Sequence, residues 1–176
     1  LAWGGSWYFL DSDGSMAVSG WRNVGGTWYY FDADGIMQTG WFKDGETWYY
    51  ANGSGAMLTG WQFLGGACFY LGANGAMVSS DWSYINGAWY YFDENGYMLT
   101  GWLDLGTEEN HQWYYLKASG AMQTGWAHIS DSWGSRYYYF GADGLMTKSQ
   151  ALPDRLRPDL VSEGWYISPL LADSNN

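Results

Sequence analysis

A tryptophan and a methionine return along this chain at a nearly fixed interval, and that period limits the fold more than any other feature. The Trp recurs at Trp21, Trp41, Trp61, Trp82, Trp102 and Trp126. A Met closes each phrase at Met16, Met37, Met57, Met77, Met98, Met122 and Met146, with intervals of mostly 20 or 21 residues that stretch to 24 near the end. Such self-similarity marks a repeat architecture whose units bury their apolar faces against their neighbours. The clearest repeat, residues 40–60, reads GWFKDGETWYYANGSGAMLTG. Its Asp44-Gly45 pair predicts a two-residue type I′ hairpin turn, which needs positive φ at both central positions. That register sets Lys43 opposite Glu46, Phe42 opposite Thr47 and Trp41 opposite Trp48, so two indoles stand abreast on one face. Tyr49 then points to the other face. A lone two-stranded ribbon is marginal in water, so the expected fold is an all-β solenoid of consecutive two-stranded hairpins, one per 20–24 residues.

Taken in order, repeat 1 (GGSWYFLDSDGSM) keeps Trp7 and Tyr8 but reads as truncated, lacking its first strand, with only Trp3 upstream. Repeats 2 and 3 carry the whole phrase. Repeat 4 places Cys68 where the second Trp should stand and is degenerate. Repeat 5 has an Asn86-Gly87 turn, which would shift the pairing by one step each way while keeping Trp82 and Trp89 on one face. Repeats 6 and 7 each gain four residues, with Tyr137 in the second Trp position of the last. Four is even, so both hairpins lengthen without turning an aromatic to the wrong side. The repeats occupy residues 1–148. Residues 149–176 form a Pro-containing tail that reads as a cap on the last hairpin, with an oligomer contact or a disordered end as alternatives.

Composition narrows the function. Of 176 residues, 21% are aromatic and 26 are Gly, and the formal charge of −11 disfavours nucleic acid and anionic membranes while mildly favouring a cationic ligand. The single Cys68 excludes an internal disulfide. There is no run of about 18 apolar residues, so no membrane-inserted helix is expected. The chain begins in mid-phrase at Leu1, which reads as a fragment or processed product.

Stacking hairpins in the same sense would bring the paired-Trp face of one against the middle aromatic of the next. Three converging rings with little hydrogen-bonding capacity suit a quaternary ammonium, held by cation–π attraction and contact with its methyl groups. The bland alternative is that the rings are simply core. Repeated Trp at two fixed positions, where Leu or Val would fill the same space, argues against it.

The phrase GW, WYY, Gly-x-Met, Thr-Gly-Trp resembles the choline-binding (cell-wall-binding) repeat of Gram-positive surface proteins, over residues 1–148. The resemblance implies hairpins wound into a left-handed superhelix, with choline or phosphocholine of teichoic acid held between successive hairpins. It implies four ring sets: Trp21, Trp28 and Tyr49; Trp41, Trp48 and Phe69; Trp82, Trp89 and Tyr114; Trp102, Trp113 and Tyr138. Trp61 with Cys68 and Tyr90 lacks one wall. Trp126 with Tyr137 needs a ring from the tail, Trp165 or Tyr166. Trp7 with Tyr29 lacks a first-strand Trp, for which Trp3 is a substitute. The Met residues read as loop packing, with closure of the cage floors as the alternative. The implied protein is secreted and sits at the bacterial cell wall, with a catalytic or adhesive domain elsewhere in a longer parent chain and a homodimer through the tail as an option.

A sister family of glucan-binding and toxin repeats shares the YYF…DGxxxTGW cadence with fewer paired Trp, and makes a cell-wall polysaccharide the alternative ligand. A purely structural stalk is a third reading. No catalytic residue, metal site or cofactor is expected. Asp11, Asp13, Asp32, Asp34, Asp93 and Asp143 flank turn glycines, where Asx side chains cap the backbone. The Asp-x-Asp-Gly strings lack the remaining ligands of a calcium loop. His111 and His128 lack zinc spacing, and Glu108 and Glu109 read as solvated charge at a hairpin tip.

Overall fold

The computed structural model describes residues 2–131 and 134–151. Every described strand belongs to an antiparallel hairpin, and no helix occurs among the described residues. The hairpins follow in chain order. They are β1 (Ala2–Trp3) with β2 (Ser6–Trp7), β3 (Gly20–Val24) with β4 (Thr27–Phe31), and β5 (Gly40–Asp44) with β6 (Thr47–Ala51). Then come β7 (Gly60–Leu64) with β8 (Ala67–Leu71), β9 (Asp81–Ile85) with β10 (Ala88–Phe92), and β11 (Gly101–Asp104) with β12 (Trp113–Leu116). The last is β13 (Gly125–Asp131) with β14 (Gly134–Phe140), to which β15 (Met146–Ala151) adds a third strand. That strand runs across the boundary expected at residue 148; the rest of the tail, with its cap and dimer roles, lies outside the described residues. The chain forms two compact units. Unit 1 takes in the residues up to Ser83 and Tyr91–Leu99; unit 2 takes in Tyr84–Tyr90 and the residues from Thr100 onward.

The hairpin register differs from the expected one. In repeat 3, Trp41 faces Tyr50, Phe42 faces Tyr49, Lys43 faces Trp48 and Asp44 faces Thr47. The two-residue loop is therefore Gly45-Glu46, with Gly45 at φ +59. A glycine at the first loop position meets the demand of a type II′ turn, which competes directly with the Asp-Gly type I′ turn. Repeats 2 and 4 place Gly25-Gly26 and Gly65-Gly66 at the same positions, and repeat 5 places Asn86-Gly87 there, all at positive φ. The Asn86-Gly87 turn thus brings no shift relative to its neighbours. Because the true register differs from the expected one by a step on each strand, Trp41 and Trp48 stay on one face. They are diagonal neighbours, and each opposes another residue. The four-residue insertions behave as expected: Trp102 faces Tyr115 and Trp126 faces Tyr139, the pairings of Trp21 with Tyr30.

From repeat 2 onward, the last residue of each second strand forms the core. Phe31, Ala51, Leu71 and Phe92 in unit 1, and Leu116 and Phe140 in unit 2, are all buried. Successive repeats are joined through the methionines. The Met57 N–H donates to the Trp28 carbonyl and the Met77 N–H to the Trp48 carbonyl, both at 2.9 Å. Met98 donates to Cys68 in the same way, and in unit 2 Met122 donates to Trp89. Cys68, degenerate as a side chain, keeps its backbone role. The Met side chain meanwhile lies beneath the glycine two residues before the following Met. A Cβ on Gly96 would stand 2.6 Å from the Met77 sulphur, and Gly55, Gly75 and Gly144 press as closely on Met37, Met57 and Met122. Gly75 also has φ +82, where a side chain costs roughly 1–2 kcal/mol. The Gly-x-Met signature is a steric fit between repeats. Between strands, Asp32 and Asp93 each accept two backbone N–H bonds through Oδ1 from two and four residues ahead, the Asx chemistry expected of them, and Asn52 does the same.

Replacing Gly75 by Ala should lower stability by about 2 kcal/mol or more. Adding Met57→Ala should cost less in that background than alone, because the steric part of the clash has gone. Urea unfolding of the two single variants and the double variant measures this coupling; simple additivity would contradict the Gly–Met fit.

Candidate functional site

Three of the expected ring sets are assembled. In repeat 3 the indoles of Trp41 and Trp48 lie 6.4 Å apart at 88°, and Phe69 of repeat 4 stands 4.9 Å from Trp41. In repeat 6, Trp102 and Trp113 lie 6.1 Å apart at 89°, with Tyr138 of repeat 7 at 4.7 Å from Trp102. In repeat 2, Trp21 meets Tyr49 of repeat 3 at 4.8 Å and 67°. Trp21, Trp28 and Tyr49 line an open cavity of about 350 Å³, and Trp41, Trp48 and Phe69 line one of about 290 Å³. In these two sets Trp21 and Trp41 are half-buried while their partners are more open: Trp28 is 44% exposed and Trp48 39%. Such paired, half-open indoles on a rigid ribbon are what a docking surface requires and what a sealed core would avoid. Of the remaining set, Trp82 belongs to unit 1, and Trp89 and Tyr114 belong to unit 2.

The lining includes the Met residues, whose closure of the cage floors is one of the two sequence expectations, and loop residues that the sequence reading does not reach. Met57, Ala73 and Asn74 complete the first cavity, and Met77, Glu94, Asn95 and Tyr97 the second. Each cage therefore draws on three consecutive repeats: two indoles, then one ring and a Met, then a loop. The Met residues serve both readings at once, packing beneath a glycine and closing the cage. The signal that could have located the loop residues is the Gly-x-Met fit, which carries the loop of the third repeat to the Met of the second.

The end sites depart from expectation. Repeat 1 does have a first strand, two residues long, with Trp3 opposite Ser6 and Trp7 opposite Ala2. Trp3 therefore lies on the face of Tyr8, 6.5 Å away, and cannot stand in for a first-position Trp beside Trp7. Tyr137 does occupy the second Trp position, opposite His128 with rings 4.9 Å apart; Trp165 and Tyr166 lie outside the described residues. Cys68 faces Phe63, and Tyr90 belongs to unit 2.

Charge is arranged around the rings. Asp44 accepts the Trp21 indole N–H at 2.9 Å and the Tyr30 hydroxyl at 3.3 Å. Burial first, and then the Asp44 carboxylate, push the Tyr30 hydroxyl above the ordinary tyrosine range. The Lys43 ammonium lies 5.2 Å from the Trp48 ring centre and 3.9 Å from Glu46. Near Trp113, the backbone N–H of Gly106, the His111 ring and the N–H of Gln112 hold the Asp104 carboxyl below the usual carboxylate range. Among the described residues no three His, Cys, Asp or Glu side chains converge on a metal position. Asp32, the first acidic residue of one calcium-like string, already accepts hydrogen bonds from Asp34, Ile36 and Gln38.

The family model of the choline-binding repeat matches residues 18–59 and 79–122, and that of a cell wall binding repeat matches 2–16 and 59–77. The chain belongs to the choline-binding (cell-wall-binding) repeat family. Within that family, its fold is similar to the crystal structure of choline binding protein F from Streptococcus pneumoniae, at 35% identity and TM-score 0.73, covering 84% of this chain and 50% of that one. CbpJ from the same organism matches at 38% identity and TM-score 0.70, over 80% and 49%. A crystal structure of CbpF in complex with ipratropium matches at 38% and TM-score 0.67, over 81% and 42%. The chain thus spans about half the length of these relatives or less. Comparison with curated protein sequences gives no match.

Tyr30 is an acid whose proton is better held in the folded state. Its stability contribution is therefore complete below the unfolded tyrosine value near 10 and is lost as pH rises toward its own higher value. Ultraviolet titration should show the Tyr30 hydroxyl ionising late and moving earlier in Asp44→Asn; a titration unchanged by that substitution would contradict the role given to Asp44.

Proposed function

We propose that this chain is a non-catalytic attachment module that binds the choline of cell-wall teichoic acid, one trimethylammonium group per aromatic cage. The observation that carries the reading is the three-ring, half-open cage built twice over in unit 1 and, as a ring set, again in unit 2. Ring faces and edges enclose a space of the right character for a soft cation. The first cavity offers two indoles, a tyrosine, a methionine, an alanine and one asparagine, too few polar groups for a network of sugar hydroxyls. The net charge of −11 adds a general attraction for cations. A crystal structure of CbpF in complex with ipratropium, a quaternary ammonium compound, was obtained by soaking.

Trp21, Trp28 and Tyr49; Trp41, Trp48 and Phe69; and Trp102, Trp113 and Tyr138 are the binding residues of this reading. At about 0.5–2 kcal/mol per ring, one cage binds in the millimolar range. Several cages on a choline-bearing polymer gain by effective concentration. The module places its parent protein at the bacterial surface, outside the membrane, and any catalysis belongs to other parts of a longer chain.

Choline should quench tryptophan fluorescence and raise the unfolding temperature, while sodium chloride of equal ionic strength and dextran should do neither. Saturation to about one hundred times Kd would add about 2.7 kcal/mol per site. Trp48→Ala, at a half-exposed position, should remove one site at little cost to the ligand-free stability. A response to dextran with none to choline would overturn the reading in favour of a saccharide ligand, and a response to neither would favour a stalk.

A further inference from the structure

The two cages of unit 1 differ in their third contributor. Aligned on the turn glycines Gly75 and Gly96, Ala73 of the first cage corresponds to Glu94 of the second, Asn74 to Asn95 and Ala76 to Tyr97. Glu94 and Tyr97 both line the second cavity. The Tyr97 ring stands 5.3 Å from Phe69 at 70°, so it continues the wall that Phe69 begins. Its backbone is fixed at both ends of a tight loop. The Tyr97 N–H donates to Asp93 Oδ1 at 2.8 Å, and the Asp93 N–H donates to the Tyr97 carbonyl at 3.0 Å. With one ring more, the second cavity is also smaller, about 290 Å³ against about 350 Å³.

The charges around this cage have opposite signs. Lys43 lies over Trp48, but Glu46 is 3.9 Å from its ammonium, so that cation already faces a carboxylate. Glu94 adds a negative charge at the cavity itself. In the first cage, by contrast, the nearby carboxylate of Asp44 is engaged by Trp21 and Tyr30 and is not part of the lining.

We infer that Tyr97 and Glu94 make the Trp41–Trp48–Phe69 cage the charge-selective site of unit 1, which holds a quaternary ammonium more tightly than the Trp21–Trp28–Tyr49 cage and discriminates against an uncharged ligand of the same shape. A fourth ring adds cation–π attraction, and a carboxylate beside a partly desolvated cation adds a Coulomb term that a neutral ligand cannot collect. This rests on the choline reading above and adds the residues that rank its sites.

The test follows the indole N–H signals of Trp41 and Trp48, and separately those of Trp21 and Trp28, by NMR. The protein is titrated with choline and with its uncharged isostere, in which a tert-butyl group replaces the trimethylammonium. Choline should saturate the Trp41 and Trp48 signals first. Glu94→Gln should weaken that site about three- to tenfold and Tyr97→Ala about two- to fivefold, both leaving the Trp21 and Trp28 response unchanged. The Glu94 effect should shrink in about 1 M salt, and the isostere should show no preference between the cages. Unchanged choline affinity at Trp41 and Trp48 in both variants, or the same preference for the isostere as for choline, would overturn the ranking while leaving choline binding intact. No response to choline at either pair would overturn the choline reading, and the ranking with it.

Discussion

The hydrogen bond from the N–H of Met37, Met57, Met77, Met98 and Met122 to the second-position carbonyl of the preceding repeat sets where one hairpin stands relative to the next. A five-residue strand pair has too little apolar surface to hold itself together. It gains a defined place only because Met57 reaches Trp28, and Met77 reaches Trp48. The glycine that follows must be bare to let the Met side chain lie flat. Once these contacts are made, the middle ring of the next repeat has no choice but to close over the paired indoles of the one before. Tyr49 meets Trp21, and Phe69 meets Trp41, for this reason. The cages are a consequence of the stacking geometry, which explains why they recur with the repeat.

The number of hairpins, their period and the shared face of the paired Trp could be read from the residues, because each depends on parity and spacing. Register could not. Asp44-Gly45 and Gly45-Glu46 are both good two-residue turns, of types I′ and II′, and only the contacts of the formed ribbon choose between them. Gly45-Glu46 puts Trp41 against Tyr50 and stacks Phe42 on Tyr49 at 5.8 Å. The face of Trp3 is not legible in the sequence for a related reason: a two-residue strand gives no pattern from which to read it. The acidic and aromatic loop residues Glu94 and Tyr97 reach the cage from two repeats away; the Gly-x-Met motif that carries them there is visible in the sequence, but that it is a contact between repeats is visible only in the fold.

The division of labour between the two Trp positions bears on function. At Trp21 the first-position indole is wedged against its cross-strand Tyr30 and against Phe42 and Tyr49 of the next repeat. It stabilises the stack and offers only part of its surface to a ligand. The second-position indole, at Trp28 and Trp48, is substantially open and is free to serve binding. Cys68 fits this division, since its repeat keeps the backbone bond to Met98 without the open indole. Weak individual sites suit attachment to a polymer, where affinity comes from number and spacing.

The central claim is that rings from two successive repeats enclose a trimethylammonium group together. Intermolecular NMR contacts from the choline methyl protons, read on the protein saturated with choline, test it most directly. The account predicts simultaneous contacts to Trp41 and Phe69, and to Trp21 and Tyr49, with the methyl signal shifted upfield by the surrounding rings. Contacts confined to rings of a single repeat, or none from bound choline to either pair, would contradict it.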